Sequence, residues 1–205
     1  VAYHSDGTPH LFFSDNSADI GGGIFVNTGT VKVSSVSTFT TNTAADRGAI
    51  GQGGGTLTII DPDFTDNTAS SNGGSIYQSK GDLDVSGPTD CTFTGQEPIN
   101  CAINGGTIFI FDGTSSNINS CSFDNFSVSN DGGAIGQSGS VLTIIDPTFT
   151  NNVADLGGAV YQSGGTLDMN GTGASTCTLS DNSGTDGAGI YSNGGDLSTL
   201  NCDFS

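Results

Sequence analysis

The acidic residues are the first candidates for chemistry in this chain. Asp61, Asp63 and Asp66 lie close together in the sequence, and Asp181 with Asp186 forms a smaller set. Carboxylate oxygens are the ligands that Ca²⁺ prefers. Neither the EF-hand spacing nor the glycine-rich calcium nonapeptide is present. We therefore expect only loosely bound Ca²⁺ at these residues and no other cofactor.

Groups for acid–base catalysis are scarce. The basic and imidazole side chains are Lys32, Arg47, Lys80, His4 and His10. A polysaccharide lyase needs a base beside a carboxylate-bound metal, and a glycoside hydrolase needs two carboxyl groups at a set separation. Asp82 and Asp84 would share one strand face, but no partner acid or base accompanies them. The sequence predicts a protein that is not an enzyme, and a polysaccharide-active β-helix enzyme is the second alternative.

Threonines flank a recurring phenylalanine and would form a flat polar face. They are Thr38, Thr40, Thr65, Thr92, Thr94, Thr148, Thr150 and Thr178. On strands stacked about 4.8 Å apart, such an array resembles the ice-binding face of insect β-solenoid antifreeze proteins. Asp63 and Asp124 interrupt it, and threonine also favours strands for ordinary packing reasons. Ice binding is the first alternative function.

The cysteines indicate stacked strands in an oxidising compartment. Four of them, Cys91, Cys121, Cys177 and Cys202, each lie two residues before an apolar anchor. Inward positions of adjacent coils have the separation that a disulfide needs, so we expect the pairs Cys91–Cys121 and Cys177–Cys202. Cys101 is left over or displaces a member of the first pair. A buried column of free thiols is the alternative.

Two tripeptides match the acceptor pattern for N-glycosylation. Asn125 begins Asn-Phe-Ser and Asn170 begins Asn-Gly-Thr. In a eukaryotic secreted protein both would be candidate glycan sites.

A repeat of three apolar anchors must position all these residues. The first anchor recurs every 25 to 30 residues, at Phe13, Phe39, Phe64, Phe93, Phe123, Phe149, Leu179 and Phe204. The second lies at Ile24, Ile50, Ile76, Ile103, Ile135, Val160 and Ile190, and the third at Val31, Leu57, Leu83, Ile108, Leu142, Leu167 and Leu197. Each anchor lies in a short alternating stretch bounded by Gly, Asn or Asp. The pattern predicts an all-β protein, a right-handed parallel β-helix of about seven to eight three-strand coils, as one domain over residues 1–205.

The composition fits a narrow solenoid core. Only 33% of the residues are hydrophobic and 33 are Gly, which is too little apolar volume for an ordinary sandwich but enough for one inward column per strand. Three residues after the first anchor come Asn16, Asn42, Asn67, Asn152 and Asn182. Their amides could form a hydrogen-bonded ladder, or they could serve as turn residues. Both interpretations stay open.

A longer period lies on top of the coil repeat. Gly-Ala-Ile-Gly-Gln at 48–52 recurs at 133–137, 85 positions later. The block near 48–96 thus recurs near 133–182, as in an array extended by copying three coils, and the chain could be a segment of a longer array.

The charge restricts the partners. Lys and Arg number 3 and Asp and Glu number 21, for a net charge of −18. Such a surface repels nucleic acid and attracts cations. No apolar run is long enough to span a bilayer, so direct membrane insertion is not expected.

Two segments carry a family resemblance. Residues 64–77 contain Phe-Thr-Asp-Asn with Asn-Gly-Gly-Ser-Ile-Tyr, and residues 149–161 contain Phe-Thr-Asn-Asn with Gly-Gly-Ala-Val-Tyr. They resemble the FxxN and GGA(I/V/L) repeats of the chlamydial polymorphic membrane protein family and of other pectin-lyase-like β-helix surface proteins. The resemblance implies a right-handed β-helix exposed at a cell surface for adhesion or display.

The expected function is therefore structural or adhesive, outside the cell. The partners would be other surface proteins, glycans or further copies of the chain, because uncapped coils can stack head-to-tail into a filament.

Overall fold

The computed structural model describes residues 2–3, 9–33, 36–87, 91–95, 104–173 and 177–205. Within these ranges the secondary structure is entirely strands, bridges and turns, and no helix is present. Three parallel sheets run along the molecule, each receiving one strand from every coil. The prediction of an all-β solenoid of about seven coils is confirmed.

Sheet 1 carries the phenylalanine anchors. Its strands are Ala2–Tyr3, Pro9–Ser14, Ser37–Thr40, Pro62–Thr65, Thr92–Thr94, Ser122–Asp124, Thr148–Thr150, Cys177–Ser180 and Cys202–Phe204. The first pairing is antiparallel and all the following ones are parallel.

Sheets 2 and 3 carry the second and third anchors. Sheet 2 consists of Ile24–Val26, Ile50–Gln52, Ile76–Gln78, Ile108–Ile110, Ile135–Gln137, Val160–Gln162 and Ile190–Ser192. Sheet 3 consists of Thr30–Val33, Thr56–Ile60, Asp82–Ser86, Ser115–Asn119, Ser140–Ile145, Gly165–Asn170 and Asp196–Leu200.

A short fourth strand follows sheet 1 in five coils, where the sequence predicted only three strands per coil. These strands are Ser17–Ile20, Thr43–Asp46 and Thr68–Ala69 in one small sheet and Val153–Leu156 and Ser183–Asp186 in another. Each comes just after a left-handed turn residue and an asparagine, so its backbone groups are aligned with those of the neighbouring coil.

The core is a set of columns in strict register. Phe39, Phe64, Phe93, Phe123 and Phe149 are fully buried. Their rings stack along the axis with centroids 4.5–4.9 Å apart. This spacing is the strand spacing itself, so each coil places one ring face to face with the next.

The predicted register is wrong in one coil. Ile108, assigned to the third anchor, pairs with Ile76 and Ile135 and so occupies the second column. The third column there holds Ser116, which pairs with Leu83 and Leu142. This coil reaches its second strand later than the others, so counting from the phenylalanine misplaces both anchors. Ile103, which the repeat pattern places in the second column, lies outside the described residues.

The asparagine column is a ladder. Asn42 donates from Nδ2 to Asn67 Oδ1 at 2.9 Å, and Asn152 donates in the same way to Asn182 at 2.9 Å. The left-handed backbone belongs to the residue before each asparagine, for example Thr41 with φ 52°. Turn propensity of asparagine itself therefore does not explain the column. Where Phe126 replaces the asparagine, its backbone N–H still donates to Asn152 Oδ1 at 3.2 Å.

Candidate functional site

The aspartates proposed as calcium ligands do not converge. Asp61 and Asp66 lie at opposite ends of the strand Pro62–Thr65, each with a left-handed backbone, and Asp63 points outward between them. Burial raises the pKa of Asp66 by desolvating its carboxyl group. Across the described ranges, no group of three or more His, Cys, Asp and Glu side chains is arranged to hold a metal ion.

The threonines do line up on the outward side of sheet 1. Thr38 pairs with Asp63 and Thr40 with Thr65, so two outward columns run on either side of the buried phenylalanines. The column of Thr38 continues through Thr92, Thr148 and Thr178. The column of Thr40 continues through Thr94 and Thr150. The predicted Thr-x-Thr face therefore exists as a geometric feature.

Asp63 breaks the chemical uniformity of this face. Its Oδ1 accepts hydrogen bonds from Thr92 Oγ1 at 2.9 Å and from Thr65 Oγ1 at 3.3 Å. Those hydroxyls are thereby engaged with a carboxylate. In the other column, Asp124 pairs with Thr94 and Thr150. The face is consequently a polar, acid-interrupted strip.

The outward side of sheet 2 carries a second column, which is aromatic. In coil order its members are Phe25, Gly51, Tyr77, Phe109, Gly136, Tyr161 and Tyr191. Tyr77 stacks on Phe109 and Tyr161 on Tyr191, both with centroids 5.8 Å apart. The two glycines leave gaps in the column, one between Phe25 and Tyr77 and one between Phe109 and Tyr161.

Arg47 occupies the first gap. Its guanidinium carbon lies 5.7 Å from the centroid of the Phe25 ring and 5.1 Å from that of Tyr77, a cation–π arrangement with both rings. A Cβ on Gly51 would come within 3.1 Å of Arg47 Cβ, so the glycine is required as the floor. Asp46 lies beside the cation, with Oδ2 3.5 Å from Arg47 Nε.

The backbone at Arg47 is unusual for its position. The residue three before each second anchor is left-handed in every described coil, and six of the seven are glycines: Gly21, Gly73, Gly105, Gly132, Gly157 and Gly187. Arg47 is the seventh, with φ 66°. A side chain in this conformation costs free energy, which the contacts of its guanidinium must offset.

The electrostatics of Tyr77 reflect this packing. Burial raises the pKa of its phenol, Arg47 acts in the opposite direction, and Asp46 raises it further. The phenol therefore stays neutral at physiological pH and presents an uncharged ring to the cation.

Both predicted disulfides are present. Cys91 joins Cys121 and Cys177 joins Cys202, with Cα atoms 4.7 and 4.5 Å apart. Each crosslinks adjacent coils of sheet 1. Cys101 lies outside the described residues.

The two glycosylation candidates differ in their surroundings. Asn125 is half-buried, and its Nδ2 already donates to Gly95 O at 3.1 Å. Asn170 ends a strand of sheet 3 and is partly exposed.

The sequence analysis did not predict a column of buried glutamines. Gln52, Gln78, Gln137 and Gln162 are fully buried at the last position of four sheet 2 strands. Their Nε2 atoms donate to the carbonyls of Gly55, Gly81, Ser140 and Gly165, across the turn that leads to sheet 3. The signal was available, because each glutamine lies two residues after a second anchor.

Stacked parallel sheets, apolar columns and buried amide ladders define the class of protein as a repeat β-solenoid. Residues 63–79 match the family model of the Chlamydia polymorphic membrane protein (Chlamydia_PMP) repeat. The matched segment contains the anchors Phe64 and Ile76 and the ladder residue Asn67, so the resemblance seen in the sequence is confirmed there. No curated protein and no solved structure matches the chain. None of the described residues belongs to a helix long and apolar enough to cross a membrane.

Proposed function

We propose that this chain is a non-enzymatic β-solenoid displayed outside the cell, where it acts as a structural or adhesive surface. The observation that carries the proposal is the match at residues 63–79 to a repeat of a membrane protein family. In this segment Phe64 and Ile76 face the core, so the repeat encodes the scaffold, and the outward positions take no part in the core. A scaffold of this kind suits display of a variable surface.

Two disulfides support an oxidising, extracellular location. The net charge of −18 disfavours nucleic acid and anionic lipid as partners. Other surface proteins and glycans are the partners that we propose, with loosely condensed Ca²⁺ as the accompanying cation.

The test is an adhesion assay with beads coated with the disulfide-bonded protein. We expect these beads to bind cultured cells or immobilised cell-surface glycoproteins more than beads coated with the reduced, alkylated protein. Equal binding by the two bead types would overturn the adhesive proposal. Incubation with pectin, alginate and xylan should release no reducing ends, and release would favour the enzyme alternative.

Stacking between copies is part of this proposal. Each coil pairs with the next through parallel strands in one repeated register, for example Leu167 with Leu197 and Leu179 with Phe204. The same pairing between two copies would be a heterologous, non-closing contact that builds a filament. Negative-stain electron microscopy with Ca²⁺ and with EDTA tests it: we expect filaments in Ca²⁺, and isolated rods in both conditions would exclude assembly.

Ice binding is the second candidate, favoured by the two threonine columns in register. The hydrogen bonds from Thr92 and Thr65 to Asp63 weaken it, because those hydroxyls are not free to order water. Thermal hysteresis measured on the native protein and on Asp63→Thr decides the point. Hysteresis that is absent in both proteins would eliminate this candidate.

A further inference from the structure

The internal duplication allows the two gaps in the aromatic column to be compared. In the first copy the gap has Phe25 and Tyr77 as walls and Gly51 as floor, and it holds the guanidinium of Arg47. In the second copy the equivalent walls and floor, 84 or 85 positions later, are Phe109, Tyr161 and Gly136. We call the second gap the 136 slot.

The 136 slot has the same build but lacks the arginine. At the position of Arg47 it has Gly132, which also has a left-handed φ, 68° against 66°, and where a Cβ would lie 2.3 Å from Ile135 O unless the turn shifts. In both copies the ring of the preceding coil lies partly over the glycine. A Cβ on Gly51 would lie 3.1 Å from Phe25 Cδ2, and a Cβ on Gly136 would lie 2.7 Å from Phe109 Cδ2. This overlap does not prevent Arg47 from occupying the first gap. The second gap differs in having no arginine to fill it and in the closer approach of the Phe109 ring, whose Cδ2 and Cε2 would lie 2.7 and 3.0 Å from a Cβ on Gly136.

Both gaps have an aspartate beside them, but only the aspartate of the first gap is paired with an arginine. Asp46 is paired with Arg47 in the first copy, and its equivalent in the second is Asp131. Burial and, secondarily, the nearby Asp155 raise the pKa of Asp131. These two carboxyl groups line a surface hollow of about 490 Å³ beside Gly132, together with Asn130, Leu156 and Thr185.

The cation for this slot has to come from elsewhere. All three Lys and Arg residues of the chain lie in its first 80 residues. The second copy therefore contains no Lys or Arg that could fill the slot. The first copy is charge-compensated locally, and the second is not.

We propose that the 136 slot binds the guanidinium of an arginine side chain from a partner protein, stacked between Phe109 and Tyr161 with Asp131 and Asp155 as counter-ions. Arginine is favoured over lysine because its planar cation stacks on aromatic faces, as Arg47 does. This site gives the proposed surface function a partner chemistry. Its test needs neither cells nor assembly, so it can fail independently of the adhesion assay.

The test is an NMR titration of the folded protein with the peptide acetyl-Gly-Arg-Gly-amide, with the glutamine peptide acetyl-Gly-Gln-Gly-amide as the matched control. For one side chain we expect a dissociation constant on the order of millimolar, with shifts confined to the ring signals of Phe109 and Tyr161. Tyr161→Ala should weaken binding about tenfold, because Tyr161 is half-buried and its cation–π contact lies between the exposed and the fully desolvated case.

Two further variants place in each gap the residue that the other gap has at the equivalent position. Gly132→Arg supplies the missing side chain, so the slot should be filled internally and peptide binding lost. Arg47→Gly empties the first gap, so a second site should appear, with shifts at Phe25 and Tyr77. Circular dichroism checks the fold of each variant, and if Gly132→Arg does not fold, Arg47→Gly and Tyr161→Ala still decide. Equal response to the two peptides, or unchanged binding by Tyr161→Ala, would overturn the proposal.

Discussion

Asn42 and Asn67 are joined twice: the side-chain Nδ2 of Asn42 donates to Asn67 Oδ1 at 2.9 Å, and its backbone N–H donates to the same oxygen at 3.0 Å. Asn67 in turn donates from its own Nδ2 to Phe39 O at 2.7 Å. Only 2% of Asn67 is exposed. One side chain thus satisfies buried donors and an acceptor on the neighbouring coil.

Replacing Asn67 by Ala should lower the free energy of unfolding by about 2–4 kcal/mol, because buried polar groups of Asn42 and Phe39 lose their partners. Urea denaturation measures the effect. The exposed first member of the ladder, Asn16, is the matched control, and Asn16→Ala should cost below about 1 kcal/mol. Equal costs at the two positions would show that burial does not determine the strength of the ladder.

The disulfides predict a defined thiol count. The chain has five cysteines, and four of them form the two disulfides of the described residues, so we expect one free thiol, at Cys101. Alkylation of the denatured, unreduced protein followed by mass spectrometry should therefore add one label per chain. Three or five labels would contradict the pairing.

Removal of a crosslink should also reduce stability. The Cys177–Cys202 bridge closes a separation of 25 residues, and restricting such a loop in the unfolded chain contributes about 3 kcal/mol. The variant Cys177→Ala/Cys202→Ala should lower the melting temperature. Addition of a reductant should lower it further, through loss of Cys91–Cys121, but should not affect a variant that lacks all four cysteines.

Asp131 predicts a pH-dependent stability. Its pKa is raised in the folded protein, by burial first and by Asp155 second. The folded state therefore binds the proton more tightly than the unfolded state, and stability falls as the pH rises from the unfolded pKa, about 3.9, through the raised folded value.

Asp131→Asn should accordingly raise the melting temperature at pH 7. The gain in the free energy of unfolding should stay below about 1 kcal/mol, because the site is partly exposed. The gain should vanish near pH 3, where the native carboxyl is already protonated. The exposed Asp82, changed to Asn, controls for the loss of one negative charge from an acidic protein. A gain at pH 3 as large as at pH 7 would disprove the electrostatic origin.

The sequence predicts the columns of this fold well because each column obeys one physical rule. The three anchor series, to which Phe64, Ile76 and Leu83 belong, each recur at a nearly constant interval. Only stacking of equivalent strands explains three such series at once. The pairing of Cys177 with Cys202 follows from the same register. The prediction fails where an interval is irregular: Ile108 lies in the second column because residues before it lengthen that coil.

The outward chemistry is less predictable, because it depends on which residues of different coils become neighbours. Thr38 and Thr40 recur at the anchor and could be placed from the sequence. Phe25, Arg47 and Tyr77 come from three consecutive coils, and only the exact register of sheet 2 brings them together. Taken by itself, the sequence around Arg47 indicates only a turn ahead of a strand. The signal that would have revealed it is its place in a column of glycines.

The final prediction separates the two opposing effects at Arg47. Changing Arg47 to Ala removes the cation–π contacts but keeps a side chain at φ 66°, so stability should fall by about 1–2 kcal/mol. Changing Arg47 to Gly removes the same contacts and also the backbone cost, which is about 1–2 kcal/mol for a residue with a Cβ in this region. The Gly variant should therefore be more stable than the Ala variant and lie close to the native protein.

Urea denaturation of both variants measures this order. Thr43, an exposed strand residue, is the control: there the Ala variant should be more stable than the Gly variant, because glycine loses more conformational freedom on folding. If Arg47→Ala proved as stable as Arg47→Gly, the left-handed turn would carry no cost. The retention of arginine in a column of glycines would then need no compensation from Phe25 and Tyr77. The predicted order instead means that the aromatic walls stabilise a cation against the preference of the backbone, which is the property that the 136 slot would offer to a partner.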